Sequence, residues 1–104
     1  MGVAQIRKIW DAHRSRPIIG FLAGSFDLIH PGYIRAFKEA KQQCDILIIG
    51  LQSDPSIDRP RKNKPIMTKA ERREILESIK YIDKIIDYDT EDELKELDKM
   101  LDID

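Results

Sequence analysis

The chain has 104 residues, 41% hydrophobic and 36% charged, with a formal net charge of −1, enough for one domain around a single core but short for a complete doubly wound sheet. Near-balanced charge gives no general electrostatic reason to bind nucleic acid or an acidic membrane surface, and the longest apolar runs, around Ile18 to Ala23 and Ile46 to Leu51, fall far short of the roughly 20 residues of a membrane-spanning helix. A lone Cys44 has no disulfide partner and no neighbour at metal-ligand spacing, and the amino terminus carries no apolar signal core, so a cytoplasmic protein without a metal site is expected.

Val3, Ile6, Trp10 and His13 recur at helical spacing ahead of the Arg16-Pro17 break, which predicts an added amino-terminal helix over 1–16 and a single α/β core over 17–104. An apolar stripe of this kind suits sheet covering or a subunit contact, so Trp10 and His13 are assigned no chemistry. Pro17 to Ala23 then reads as a strand buried on both faces. The segment Gly24-Ser25-Phe26-Asp27-Leu28-Ile29-His30-Pro31-Gly32 links it to a helix marked by Tyr33, Phe37, Ala40 and Cys44. Pro31 suits the first helical position and Gly32 leaves the backbone approachable, so this helix start is expected to offer unpaired N–H donors and a positive dipole to an anion, with His30 hanging over that pocket.

Asp45 to Leu51 is a second continuous apolar strand, and the helix between the two makes a βαβ crossover and hence a parallel sheet. Ser53 to Pro65 holds three prolines with Arg59, Arg61, Lys62 and Lys64, a long loop at a strand's carboxyl end that is expected to line a ligand cleft. Thr68-Lys69-Ala70-Glu71 has capping-box spacing before a helix carrying Arg72, Ile75, Leu76 and Ile79 that stops near Tyr81. A third strand over Lys84 to Tyr88 follows, and Thr90 to Glu93 repeats the capping pattern ahead of Leu94, Leu97 and Leu101. The acidic residues from Asp87 to Glu96 read as a solvated helix face and start rather than a metal site. Asp102-Ile103-Asp104 has the look of another strand beginning.

The stretch from Gly24 to Tyr33 resembles the signature G-x-F-D-x-x-H-x-G-H of the nucleotidyltransferase superfamily, most closely its cytidylyltransferase-like branch of glycerol-phosphate, choline-phosphate and sugar-phosphate enzymes. Tyr33 stands where that signature has its second histidine. The resemblance runs from Pro17 to Tyr88 and less clearly onward. It implies a Rossmann-like parallel sheet with flanking helices. It also implies attack by a phosphate oxygen of a small phosphorylated alcohol or sugar on the α-phosphorus of CTP or another nucleoside triphosphate, with Mg²⁺ present and pyrophosphate released, in a homodimer.

By the same resemblance, His30 contacts the triphosphate and its developing charge, and the backbone of Ser25 and Phe26 approaches phosphate in a turn shaped by Gly24 and Gly32. Lys64, with Lys62 second, acts from the loop, and Arg72 matches an arginine at the start of the next helix. Its guanidinium suits a phosphate or a neighbouring carboxylate. Ser53-Asp54 aligns with a pair near the acceptor. Asp27 either caps the turn or orients substrate, and Tyr33 either donates through its hydroxyl or packs on the helix face. The family's later segments, including an Arg-x-x-x-Ile-Ser-Thr-like motif, have no counterpart before Asp104. Losing one well-aimed donor costs about 10²–10³ in rate, so the alternative is a catalytically degenerate nucleotide-binding or regulatory module of the same fold.

Overall fold

Side chains along the two apolar runs alternate between two faces, and both faces are covered, which is why these runs are apolar throughout. In the computed structural model, which describes residues 4–6 and 17–101, the elements follow the order β1 (Ala4–Ile6), β2 (Ile19–Gly24), α1 (Pro31–Gln42), β3 (Ile46–Gln52), α2 (Pro55–Asp58), α3 (Lys69–Glu77), β4 (Lys84–Tyr88) and α4 (Glu91–Leu101). The strands form one sheet in the order β1-β2-β3-β4. β2, β3 and β4 are parallel, with Gly24 opposite Leu51 and Gln52 opposite Tyr88 at their carboxyl ends. The architecture is a Rossmann-like α/β fold, with the parallel sheet that the crossover pattern predicts and the fold that the family resemblance implies.

One face of the sheet, with Leu22, Leu47, Ile49 and Leu51, packs against Phe37 and Ala40 of α1 and Leu76 of α3. The other, with Phe21, Ala23, Ile48 and Tyr88, is covered by Leu94 and Leu97 of α4. Full burial of each large apolar side chain contributes roughly 1.5–3 kcal/mol. Gly50 is a spatial requirement of the second face, since a Cβ there would lie 2.7 Å from Cζ of Phe21.

Three boundaries differ from expectation. Ala4–Ile6, placed in a helix by its spacing, is a strand antiparallel to β2, with Ala4 opposite Leu22 and Ile6 opposite Gly20. The edge of β2 carries backbone donors and acceptors that need partners, and this tertiary demand overrides a short helical periodicity. Residues 7–16, including Trp10 and His13, lie outside the described residues, as do 102–104. α3 stops at Glu77 under a Ser78 cap rather than near Tyr81, although Ile79, Tyr81 and Ile82 still pack on the core from the turn beyond it. Finally, α2 occupies what reads as loop; Asp54 caps it and Pro55 is its first residue, a start signal of the usual kind.

At the amino ends of the strands, carboxylates close the sheet. Asp45 accepts from the Ile18 N–H at 2.7 Å, and Asp83 Oδ2 accepts from the Leu47 N–H at 2.7 Å and from Lys41 Nζ at 2.6 Å. Burial pushes the Asp83 carboxyl up, but the Lys41 and Leu47 bonds outweigh it and hold it below its ordinary value. Asp83→Ala leaves both donors without this acceptor and is expected to lower stability by about 1–3 kcal/mol. Urea unfolding measures this directly; an unchanged midpoint would contradict a structural role for the carboxylate.

Candidate active site at the carboxyl ends of the strands

Between β2 and α1 the chain makes a turn that most side chains resist. Phe26 and Leu28 both have φ of 50°, the left-handed region that bulky residues adopt at a cost of order 1–3 kcal/mol. Burial of Phe26, 2% exposed, offsets part of this, its ring lying 5.7 Å from Phe37 and 5.9 Å, edge-on, from Tyr33. Asp27, between the two strained residues, reaches across to the foot of the cationic loop. Its Oδ2 accepts from the Ile66 N–H at 2.7 Å and its Oδ1 from the Met67 N–H at 3.0 Å. Burial pushes the Asp27 carboxyl up, but these amides, the Arg72 charge and the Leu28 amide prevail and hold it below its ordinary value. The contact the carboxylate makes is thus a tie from the turn to the segment just ahead of α3.

Arg72 is 1% exposed, a charge that burial makes costly unless its donors are met. They are met by backbone oxygens. Nη1 donates to the carbonyls of Ser25 at 2.8 Å and Gln52 at 2.6 Å, Nη2 to Ser53 at 2.6 Å, and Nε to Met67 at 3.2 Å. Those four bonds leave one of a guanidinium's five N–H donors for any ligand. Burial lowers the Arg72 pKa, while the carboxylates of Asp27 and Asp54 push it back up. One side chain thereby joins the ends of β2 and β3 to the turn before α3.

His30 is the residue before α1, in extended conformation, and its Nδ1 accepts from the Gly32 N–H at 3.0 Å. Pro31 has no N–H, and the Tyr33 N–H donates to the His30 carbonyl at 2.9 Å. The start of α1 therefore does not offer the unpaired donors expected of it, because His30 takes them in; what remains for an anion is the helix dipole and the imidazole itself. Gly32 is needed for this, since a Cβ would stand 2.7 Å from His30 Cε1. Tyr33 is half-buried, and its ring packs 4.7 Å from that of His30 and 6.3 Å from that of Phe37.

Lys64 is exposed in the loop, bonded to nothing in the turn, and its positive charge bears on Asp54. Asp54 itself caps α2, accepting from the Ser56 hydroxyl at 2.6 Å and the Ser56 N–H at 2.9 Å; those bonds, aided by the Lys64 and Arg72 charges, hold its carboxyl below its ordinary value. Ser53 donates to Asp89, and the buried Gln52 donates to the Asp89 carbonyl at 3.2 Å. Ile66, Met67 and Gln52 carry no chemical signal in the sequence. They take part through backbone groups or through burial, which composition cannot reveal. Among the described residues, no group of three or more His, Cys, Asp or Glu side chains could hold a metal ion, and no helix is long and apolar enough to cross a membrane.

A parallel sheet whose βα turn lies at a strand's carboxyl end, ahead of a helix start, is the general arrangement of open α/β folds, whose ligand crevices lie outside the carboxyl ends of the strands. The chain belongs to the cytidylyltransferase-like family, which it matches over residues 21–104. It is 39% identical over 74 residues to the bifunctional protein HldE of Hyphomonas neptunium, a match covering 70% of this chain and 15% of that protein. With HldE of Caulobacter vibrioides it is 32% identical over 93 residues, 88% of this chain and 19% of the relative. The chain thus spans less than a fifth of the length of these relatives. Its fold is that of the lipopolysaccharide core biosynthesis protein from Thermoplasma volcanium, with a TM-score of 0.63 and 24% identity, covering 82% of this chain and 66% of that one.

Two consequences of this geometry are measurable. Arg72→Leu strips a donor from several interior carbonyls, each costing about 1–3 kcal/mol when unpaired, so stability should fall by about 3 kcal/mol or more in urea unfolding. Arg72→Lys should recover only part of it, because an ammonium lacks the planar fork that spans separated acceptors. A wild-type midpoint in Arg72→Leu would show that the clasp is dispensable. For Asp27 the folded pKa lies below the unfolded value of about 3.9, so its contribution is complete above that unfolded value and is lost as pH falls through the folded one. Hydrogen exchange at the Ile66 and Met67 amides, corrected for intrinsic rates, should accelerate over that window; protection that persists throughout would rule out the carboxylate as their acceptor.

Proposed function

We propose that this domain transfers a nucleotidyl group, from CTP in the first instance, to a small phosphorylated sugar or alcohol. An oxygen of the acceptor phosphate attacks the α-phosphorus, a new P–O bond forms, the bond to the β-phosphate oxygen breaks, and pyrophosphate leaves. The observation that carries the reading is the built turn at the end of β2, in which a strained backbone and a glycine set His30 over the start of α1, in a chain of the cytidylyltransferase-like family. The description of the Thermoplasma volcanium protein as a lipopolysaccharide core biosynthesis protein favours the sugar-phosphate side of the acceptor class.

In this reading the protein supplies position and charge rather than a nucleophile. His30 and the α1 dipole face the triphosphate, Lys64 and Lys62 approach from the loop, and Mg²⁺ enters with the nucleotide, held by phosphate oxygens. Arg72 and Asp27 act indirectly, by fixing the turn and the foot of the loop. A second reading, a nucleotide-binding module without turnover, is favoured by the replacement of the family's second histidine by Tyr33, whose ring packs among Phe26, His30 and Phe37.

Pyrophosphate release, followed across CTP and ATP with a panel of sugar and alcohol phosphates in Mg²⁺, separates the two. Turnover with one pair is expected, and His30→Ala should reduce kcat/KM by about 10²–10³, the worth of one aimed donor. Triphosphate binding by calorimetry, weakened by His30→Ala but without turnover for any pair, would establish the binding module instead. Equal binding by both proteins would remove His30 from the site.

A further inference from the structure

We propose that His30 is held as a single neutral tautomer, with its proton on Nε2, and that Gly32 and the ring of Tyr33 are the positioning residues that hold it there. The Gly32 N–H lies 3.0 Å from His30 Nδ1. An N–H can only donate, so Nδ1 must present its lone pair, and a neutral imidazole then carries its proton on the other nitrogen. Among the described residues His30 Nε2 has no hydrogen-bond partner, and the residue is exposed. The imidazole thereby stands between the helix start and the solvent. It consumes the first free amide of α1 on one side and offers an equivalent donor on the other, several ångströms further out.

A bond to Nδ1 alone does not stop the ring from turning about its Cα–Cβ and Cβ–Cγ bonds; the glycine admits the ring to this position and one contact restricts it there. At Gly32 a Cβ would stand 2.7 Å from Cε1 and 3.0 Å from Nδ1. The ring occupies the volume that any other residue would fill. The restricting contact is the Tyr33 ring, whose centroid lies 4.7 Å from that of the imidazole at a tilt of 55°. Tyr33 is itself fixed, lying against Phe26 edge-on at 5.9 Å and against Phe37 at 6.3 Å, both of them buried. No hydrogen bond of the Tyr33 hydroxyl is formed among the described residues.

The residue that replaces the family's second histidine thus acts on the first one through its aromatic face, and the hydroxyl is not what it contributes. The use of the Nε2 proton toward a phosphate rests on the nucleotidyl-transfer reading; the tautomer itself rests on the fold alone.

Long-range ¹H–¹⁵N correlation spectra of the uniformly labelled full chain, recorded without nucleotide at a pH where imidazoles are neutral, decide the matter. The chain has two histidines, and His13→Gln assigns the signals. The expected pattern for His30 is one pyrrole-like nitrogen at Nε2 and one pyridine-like nitrogen at Nδ1, while an exposed free histidine shows averaging. Tyr33→Phe should keep the pattern. Tyr33→Ala and, independently, Gly32→Ala should move it toward the average, with circular dichroism verifying that each variant folds. An averaged pattern in the unmodified chain, or a Tyr33→Ala pattern identical to it, overturns the proposal whether or not the protein turns over. Where turnover is measurable, a loss of about 10²–10³ in kcat for Tyr33→Phe, the size of one aimed donor, would overturn it from the other side by giving the hydroxyl the role denied it here.

Discussion

A buried guanidinium organises the functional end of this domain. The carbonyls of Ser25, Gln52, Ser53 and Met67 come from the ends of two strands and from the turn before a helix, and Arg72 donates to all of them. Carbonyl oxygens that converge at the end of a parallel sheet repel one another and would otherwise need water. A planar fork with several donors answers that requirement better than any other side chain, and the carboxylates of Asp27 and Asp54 add favourable charge. The site is therefore assembled around a positive charge that is almost wholly directed inward.

That inward use changes how the rest of the site has to work. An arginine at the start of a helix next to a cationic loop invites assignment to a phosphate, yet its solvent face is gone. The groups facing outward are fewer: the imidazole of His30, the dipole of α1, and the exposed cations of the loop. Asp27 has a matching inward role, since it fixes Ile66 and Met67 and so determines where the loop carrying Lys64 ends. Strain at Phe26 and Leu28 persists because the Phe26 ring, the Asp27 bonds and the Arg72 bond to Ser25 hold the turn on three sides.

His30 illustrates how a helix start can be used at second hand. A free helix amide binds an anion directly and close to the backbone. Here the histidine intervenes, so the donor is moved outward and placed on a group that can also exchange its proton. The tyrosine beside it supplies a rigid wall from the hydrophobic core. The departure from the family's two-histidine motif thus alters the surroundings of the remaining histidine as well as the number of donors.

Much of the architecture was legible in the amino-acid order. The apolar runs at Ile18 to Ala23 and Ile46 to Leu51 fixed two doubly covered parallel strands, Thr68 with Glu71 fixed the start of α3, and the residues from Gly24 to Gly32 marked the turn that carries the site. These are local signals, because periodicity, capping and turn chemistry act within a few residues. What only the tertiary structure decided depends on partners far away in sequence. Ala4–Ile6 is a strand because β2 has an edge to cover. Arg72 points inward because three carbonyls, 19 to 47 residues away, meet beside it. Asp27 binds a loop 39 and 40 residues further on. A side chain's type announces what it can bond, but which groups reach it is settled by the packing of the sheet and helices, and here that packing brings Arg72 and Asp27 to backbone groups of the strand ends, the turn and the segment before α3.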